Sequence, residues 1–280
     1  MLSITPGQMK QVVRFMEDGI DSLRLSQEEA QRVIEHGGDM QAKLKDIIRE
    51  LSLSSQFADE EVKANYGYPE HHKVKGITEQ TNILRRIFPD IGSADNEIAD
   101  QPLPKGAEGW FAIPRWEKIA PTYNEAAQKV LAAIASRRNF HNYCEGKLGA
   151  EYLRQSEQTV QMMWKTLGEQ QKGDILVVPA QFGLRHRGRS VRRARAVFSA
   201  NEFGLGSFAV GIMLLTHPER LENWTDLFSN CIGDEYSLEA DGRFVSAPYF
   251  IFHEEKVRFG RTWVGFNCGR SGSASGFVPQ

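Results

Sequence analysis

The segment Gly183–Phe198 has the sequence GLRHRGRSVRRARAVF, and its charge sets it apart from the rest of the chain. It holds no acidic residue and six arginines, which are Arg185, Arg187, Arg189, Arg192, Arg193 and Arg195. The chain of 280 residues has a formal net charge of −2, so removing these six positive charges leaves −8 on the remainder. We call Gly183–Phe198 the arginine segment, because it is a basic island in an otherwise acidic protein.

Local patterns predict a strand before the arginine segment and a helix inside it. The run Asp174–Pro179, DILVVP, is apolar and branched, which predicts a buried strand that ends at the proline. Every second side chain of an extended backbone points to the same side, so an extended segment here would place on one side Arg185, Arg187 and Arg189. Ser190 is a good N-cap residue, and the apolar face of the helix after it would comprise Val191, Ala194, Val197 and Phe198. The opposite face would carry Arg192, Arg193 and Arg195.

The arginine segment is therefore the candidate binding site. The start of a helix offers free N–H groups and the positive end of its dipole, and anions bind at such places. The planar guanidinium group suits phosphate and carboxylate better than the lysine ammonium group does. The predicted anion-binding or nucleic-acid-binding residues are Arg185, His186, Arg187, Arg189, Ser190, Arg192, Arg193 and Arg195. The leading hypothesis is a protein that binds nucleic acid or a phosphorylated ligand, without sequence-specific readout, since no aromatic residues are interleaved for base stacking.

Two alternatives remain open. The arginines could pair with the acidic remainder of the fold, which would make the chain a structural or protein-interaction module. The chain could also be an enzyme that acts on a phosphorylated or carboxylate substrate, with His186 as a base whose pKa neighbouring arginines depress. Further acid or base candidates are Glu202, His217, Asp234 and Glu235, of which the last two are expected in a solvated loop. No catalytic triad, nucleotide-binding or metalloprotease motif occurs, so the sequence identifies neither a catalytic residue nor a cofactor.

The composition is that of an ordinary globular protein. Hydrophobic residues make up 41% of the chain and charged residues 25%. The longest largely apolar run, residues 208–215, is far shorter than the roughly 20 residues of a membrane-spanning helix. No signal peptide is visible, and the three widely spaced cysteines argue against a disulfide framework. We therefore expect a cytoplasmic protein with no membrane partner and no metal site.

Residues 1–55 are predicted to form a helical N-terminal unit. Thr5 and Ser26 each begin a capping box, and Asp39 is the expected N-cap residue of a third helix. The pair Gly37-Gly38 is expected to stop the second helix. The first helix would have the apolar stripe Met9, Val12, Val13 and Met16. We expect stripes of this kind to form the core of a three-helix unit.

The remainder is divided into a polar connector, residues 56–104, and a larger domain, residues 105–280. The connector contains a short predicted helix at residues 77–87 and a surface loop around His71 and His72. The larger domain is predicted to have a strand at 108–114, helices after Thr122 and at 151–167 and 208–215, a helix–helix connector at 201–206, and β-structure at 247–252 and 257–266. The predicted fold class is α+β, with a helical N-terminal unit and a larger region of helices that ends in an antiparallel sheet.

Several segments of the chain together are similar to a known group of sequences. They are DILVVPAQFGLRHRGRSVRRAR at 174–195, NEFGLG at 201–206, MLLTHPERL at 213–221 and GSASGF at 272–277. In these segments the chain resembles a family of uncharacterised bacterial proteins from small-genome candidate-phyla (Patescibacteria) lineages, and the likeness is strongest over residues 108–280. The resemblance implies a bacterial cytoplasmic protein, and it implies no activity and no catalytic residues.

Overall fold

A computed structural model describes residues 5–53 and 55–279. The chain divides into two compact units, with the boundary between Ser52 and Leu53. The N-terminal unit contains helices joined by short turns, whereas the larger unit contains both helices and sheets.

The N-terminal unit has the three predicted helices. They are α1 (Pro6–Ser22), α2 (Gln27–Glu35) and α3 (Gly37–Leu53). Both predicted capping boxes are confirmed, since Thr5 accepts a hydrogen bond from the third N–H of α1 and Ser26 does the same for α2. The helix α2 ends at Glu35, just before Gly37. The predicted N-cap at Asp39 is wrong, because α3 begins at Gly37 and Asp39 lies in its first turn, where an acidic side chain favours the helix dipole.

The predicted three-helix core is wrong for α1 and α2, because neither helix has a buried residue. Apolar side chains stay strongly exposed, including Phe15 at 65%, Leu23 at 66% and Ile34 at 69%. The stripe residues Met9 and Val13 are also exposed, at 49% and 42%. No other described part of the chain buries these two helices, so their apolar stripes remain accessible.

The larger unit is an α+β fold, as predicted. Its helices are α4 (Ile77–Ile87), α5 (Tyr123–Ala135), α6, α7 (Val191–Ala196) and α8 (Ser207–Thr216). The helix α6 joins the contiguous pieces Glu157–Thr159, Val160–Leu167 and Gly168–Gln170, of which the middle one is a π-helix. Short 3-10 turns occupy Ala58–Glu60, Asn96–Asp100, Trp116–Lys118, Leu184–His186 and Pro218–Arg220.

The strands of the larger unit form two sheets. In chain order they are β1 (Gly109–Pro114), β2 (Phe140–Asn142), β3 (Leu153–Gln155), β4 (Ile175–Gln181), β5 (Glu202–Gly204), β6 (Phe228–Asn230), β7 (Asp234–Tyr236), β8 (Ser246–His253), β9 (Lys256–Trp263), β10 (Ser271–Ser273) and β11 (Ser275–Phe277). One sheet has the antiparallel order β1-β4-β11-β5. The other has the order β10-β6-β8-β7-β3, and β9 pairs with both β8 and β2. The β-structure predicted at 247–252 and 257–266 is confirmed as the antiparallel hairpin β8–β9, although the sheet around it also contains the parallel pairs β10–β6 and β2–β9.

The core of the larger unit is built on β4 and α8, which are buried at every position. Both were predicted as buried elements, and β4 extends two residues beyond the expected end at Pro179. The helices α5 and α8 lie against each other, and a Cβ atom at Gly211 would lie only 2.5 Å from Val130. This close approach requires glycine at that point of α8.

Three predicted segments have a different structure. Residues 201–206 were expected to connect two helices, but Glu202–Gly204 is β5, because it pairs with β11 near the end of the chain. Residues 151–167 were expected to be one helix, but Leu153–Gln155 pairs with β7 before α6 begins. The polar connector belongs to the larger unit, since its helix α4 places Leu84 in the core. Each difference comes from pairing or packing with residues that are distant in sequence.

Within residues 5–53 and 55–279, no helix combines the length and hydrophobicity needed to cross a membrane.

Candidate functional site

The arginine segment runs from the end of β4, through a 3-10 turn, into α7. The predicted extended backbone is wrong at Leu184–His186, because this part of the segment is the 3-10 turn. Consequently Arg185, Arg187 and Arg189 do not share one side. The predicted cap is confirmed: the Ser190 hydroxyl accepts the N–H of Arg193 at 3.1 Å.

Glu60 and Glu61, in the segment predicted as a polar connector, form ion pairs with arginines in and just before α7. The Glu60 carboxylate accepts from Arg192 Nε at 2.8 Å and from the Ser190 hydroxyl at 2.6 Å. Arg192 holds the pKa of Glu60 below its usual value, although burial opposes this shift. The Glu61 carboxylate pairs with Arg189 Nε at 2.6 Å and Arg193 Nε at 2.8 Å. These bonds tie the start of α7 to residues 60–61 of the larger unit.

Glu202 is the second centre of pairing, and its carboxylate is completely buried. It accepts hydrogen bonds from Arg185 Nε at 3.1 Å, His186 Nε2 at 2.7 Å and the Ser275 hydroxyl at 2.6 Å. The N–H and hydroxyl groups of Ser199 each donate to the same carboxylate at 3.1 Å. Burial by itself would raise the pKa of Glu202, but the donors and the Arg185 charge outweigh it and lower the pKa to about 2.

His186 is buried, and both of its ring nitrogens have partners. Arg189 can only donate, so at 3.2 Å it fixes Nδ1 of His186 as an acceptor. The proton must then sit on Nε2, which donates to Glu202. This is the neutral tautomer, in agreement with the lowered pKa of His186, whose main cause is burial and only secondarily the nearby arginines.

Arg195 also points inward. Its guanidinium group donates to the carbonyl oxygen of Ile232 at 2.8 Å and to that of Asp234 at 3.0 Å, and it lies 4.0 Å from the Glu235 carboxylate. Arg187 differs from the others, since its side chain is exposed and makes no hydrogen bond or ion pair to any residue in the described parts of the chain. The structure therefore gives Arg185, Arg189, Arg192, Arg193 and Arg195 internal partners and leaves Arg187 facing solvent.

The predicted solvated loop at Asp234 and Glu235 is wrong, because both residues lie in β7 and Asp234 is fully buried. The Asp234 carboxylate accepts from the Tyr123 hydroxyl at 2.7 Å, from the Ser207 hydroxyl at 2.6 Å and from the Ser207 N–H at 2.7 Å. It thereby caps α8, where Gly206 at the N-cap position supplies no side chain. Burial raises the pKa of Asp234 to about 6, despite these hydrogen bonds.

His217, one of the acid or base candidates, is fully buried at the end of α8. Its Nε2 accepts the N–H of Lys75 at 2.9 Å, and burial lowers its pKa to about 4. His72 was expected in a surface loop, but its ring packs against that of His217 at 5.8 Å and its side chain is only 5% exposed. Burial also lowers the pKa of His72 to about 4.

A buried polar group that sequence reasoning missed lies beside these histidines. The Tyr68 hydroxyl donates to Glu108 at 2.7 Å and accepts the N–H of Leu184 at 3.0 Å. The fully buried Arg220 stacks on the Tyr68 ring at 3.6 Å. No local pattern marks these residues, since the partners are separated by 40 positions or more.

Among the described residues, no group of three or more histidine, cysteine, aspartate or glutamate side chains could hold a metal ion. Comparisons of the chain with protein-family models, with curated proteins and with solved structures find no significant match. Any assignment of function therefore depends on the geometry of this protein alone.

Proposed function

We propose that this chain is a structural protein-interaction module that self-associates through its N-terminal helices. We further propose that the arginine segment is an internal clasp, meaning that its ion pairs hold distant segments of the larger unit together. The observation that carries the proposal is the exposed apolar stripe of α1, a helix with no buried residue. An isolated helix of this length is marginally stable in water, so a partner that covers the stripe would stabilise it.

The pairing of the arginine segment supports the clasp. Its carboxylate partners are Glu60, Glu61 and Glu202, and the last of these is fully buried. A ligand anion that used these guanidinium groups would have to displace carboxylates that already accept several hydrogen bonds. Leaving such a carboxylate buried and unpaired costs several kcal/mol, which weakens the hypothesis of an anion site at the five paired arginines.

The state of His186 likewise weakens the enzyme alternative. A general base needs a free lone pair within reach of the substrate. The Nδ1 lone pair of His186 accepts a hydrogen bond from Arg189, and the ring is fully buried. Proton abstraction would require both the Arg189 bond and the surrounding packing to open first.

The stripe on α1 has the form of a helix–helix interface. At 100° per residue, its apolar side chains fall within about 100° of the helix circumference: Met9, Val12, Val13, Met16, Ile20 and Leu23. A sector of this width is typical of a helix face that packs on another helix. Phe15 lies outside this sector, on another side of the helix.

The charges beside the stripe favour a second copy of the chain as the partner, with the two α1 helices antiparallel. At 100° per residue, Lys10 and Glu17 lie on the same flank of the stripe, Lys10 in the first half of α1 and Glu17 in the second. Arg14 and Asp18 lie on the opposite side of the helix, 4.0 Å from each other. Antiparallel pairing sets Lys10 of each helix against Glu17 of its partner, whereas parallel pairing would not bring these opposite charges together.

Sedimentation equilibrium on the full chain tests this proposal. We expect a dimer at micromolar concentration, and we expect Val13→Glu and Ile20→Glu each to weaken it at least about tenfold, because a charge replaces apolar surface worth about 1.5 kcal/mol or more. Phe15→Glu is the matched control, since Phe15 is an exposed apolar residue of the same helix outside the stripe.

Charge reversal tests the antiparallel orientation. Lys10→Glu should weaken the dimer, and adding Glu17→Lys should restore it. A wild-type chain that stays monomeric at the highest soluble concentration would refute the proposal, as would equal effects of the stripe variants and of Phe15→Glu.

A further inference from the structure

Four segments that are distant in sequence lie next to one another in the larger unit. The Gly188 N–H donates to Ser271 at 2.8 Å, and the Gly188 carbonyl oxygen accepts the N–H of Val62 at 2.8 Å. The Leu227 N–H donates to Gly67 at 2.8 Å. These backbone bonds, with that from residue 228 to residue 270 at 2.9 Å, hold together the segments 61–67, 187–189, 223–227 and 268–271. We call the side chains they present the Trp224 surface.

The Trp224 surface carries three cations without carboxylate partners. Lys63 and Arg187 are exposed, and neither side chain makes a hydrogen bond or ion pair with the part of the chain that the structure describes. Arg270 donates to the carbonyl oxygen of Trp224, and it has no carboxylate partner among the described residues. Its Nε atom is buried and has no hydrogen-bond acceptor in the structure. Arg187 is thus the one arginine of its segment whose charge is still available in the described structure, and the fold places other cations near it.

Two aromatic rings lie beside Arg270. The Trp224 side chain is 57% exposed, which is unusual for so large an apolar group. The Arg270 guanidinium carbon lies 5.0 Å from the centre of the Trp224 ring and 5.6 Å from that of Tyr66. Arg270 therefore makes cation–π contacts with both rings, and much of the Trp224 side chain remains open to solvent.

Acidic residues of these segments do not cancel the positive charge. Glu61 is already paired with two arginines of α7 and the preceding loop. Asp226 is buried and accepts the N–H groups of Glu222 and Asn223 at 2.8 and 2.7 Å. Glu222 in turn lies 3.3 Å from the His71 ring.

We propose that the Trp224 surface binds single-stranded nucleic acid, with a base stacked on Trp224 and phosphates held by Arg187, Lys63 and Arg270. An open aromatic face beside unpaired cations is the combination by which proteins hold single strands without reading their sequence. Duplex bases are already stacked on each other, so they would gain little further stacking energy from an exposed indole ring. The sequence does not reveal this combination, because the aromatic residues come from segments far from the arginines.

Fluorescence anisotropy with labelled strands of about 12 nucleotides tests the proposal, since one binding surface of this kind covers about 4–16 nucleotides. The probes are oligouridylate, oligothymidylate and a duplex of the same length. We expect both single strands to bind more tightly than the duplex. The difference between the affinities for oligouridylate and oligothymidylate shows whether RNA or DNA is preferred. Affinity should fall steeply between about 50 and 200 mM salt.

Matched variants separate this surface from general electrostatic attraction. Trp224→Ala should weaken single-strand binding about fivefold or more, and Trp263→Ala should not, although Trp263 is also exposed and stacked on an arginine. Arg187→Ala should weaken binding and make it less salt-dependent, and the exposed Arg243→Ala is its control. All of these residues are on the surface, and far-UV circular dichroism checks that each variant is folded. Absence of single-strand binding at low salt would overturn the proposal, and so would equal affinities of the Trp224 and Trp263 variants.

Discussion

Replacing Glu202 by glutamine would test whether the arginine segment is a structural clasp. The Glu202 carboxylate is completely buried and accepts hydrogen bonds from Arg185, His186, Ser199 and Ser275. Glutamine has nearly the same shape, but it loses the negative charge and points an NH₂ group at donors that need an acceptor. We therefore expect Glu202→Gln to destabilise the larger unit at neutral pH.

The magnitude follows from the pKa of Glu202. A shift from 4.5 to about 2 corresponds to at most about 3 kcal/mol, since a neutral His186 contributes a hydrogen bond but no charge. The pKa is lowered in the folded state, so this stabilisation is present above the unfolded pKa and is lost as the pH falls toward 2. The free-energy difference between wild type and Glu202→Gln should narrow by up to about 2 kcal/mol between pH 7 and pH 3.

Urea denaturation monitored by tryptophan fluorescence measures both effects. Glu254→Gln serves as the control, because Glu254 also pairs with an arginine but its side chain is 67% exposed. An exposed pair of this kind contributes about 0–1 kcal/mol. Equal stabilities of wild type and Glu202→Gln at pH 7 would refute the reasoning, and so would a difference that does not change between pH 7 and pH 3.

Two further predictions concern buried positions of the larger unit. Burial raises the pKa of Asp234 to about 6, so the folded state holds its proton more tightly than the unfolded state does. The stability of the wild type should therefore fall by about 1 kcal/mol between pH 5 and pH 8 relative to that of Asp234→Asn. Parallel urea titrations of the two proteins check this, and identical pH dependences would contradict it. Gly183 has a φ angle of 149°, and a Cβ atom there would lie 3.0 Å from the Gly272 backbone, so Gly183→Ala should lower the stability by about 2 kcal/mol or more. Gly76→Ala is the control, since nothing lies within 4 Å of its added Cβ atom, and equal melting temperatures of the two variants would count against the strain.

Local elements of this fold could be predicted from the sequence because their causes lie within a few residues. The predicted capping boxes at Thr5 and Ser26 join residues three positions apart, and both are present. The helix predicted after Thr122 likewise begins with a capping box. The buried strand β4 and the buried helix α8 follow from continuous apolar runs. The strand β5 could not be predicted in this way, because its partner β11 lies about 70 positions further along the chain.

The same distinction applies to the candidate site. Composition and spacing predicted that the arginines of residues 185–195 would be the important feature and that Ser190 would cap a helix there. Whether each guanidinium group is free or paired depends on Glu60, which is 132 positions from Arg192, and on the buried Glu202. The exposed ring of Trp224, which Arg270 contacts, comes from yet another segment.

The sequence by itself therefore determined where helices begin, which segments are apolar and how much charge the arginine segment carries, because capping, periodicity and charge are properties of neighbouring residues. Only the tertiary structure decided which arginines are neutralised and which remain available. Coulomb interaction and desolvation depend on distance in space, and chain folding, rather than chain order, sets that distance.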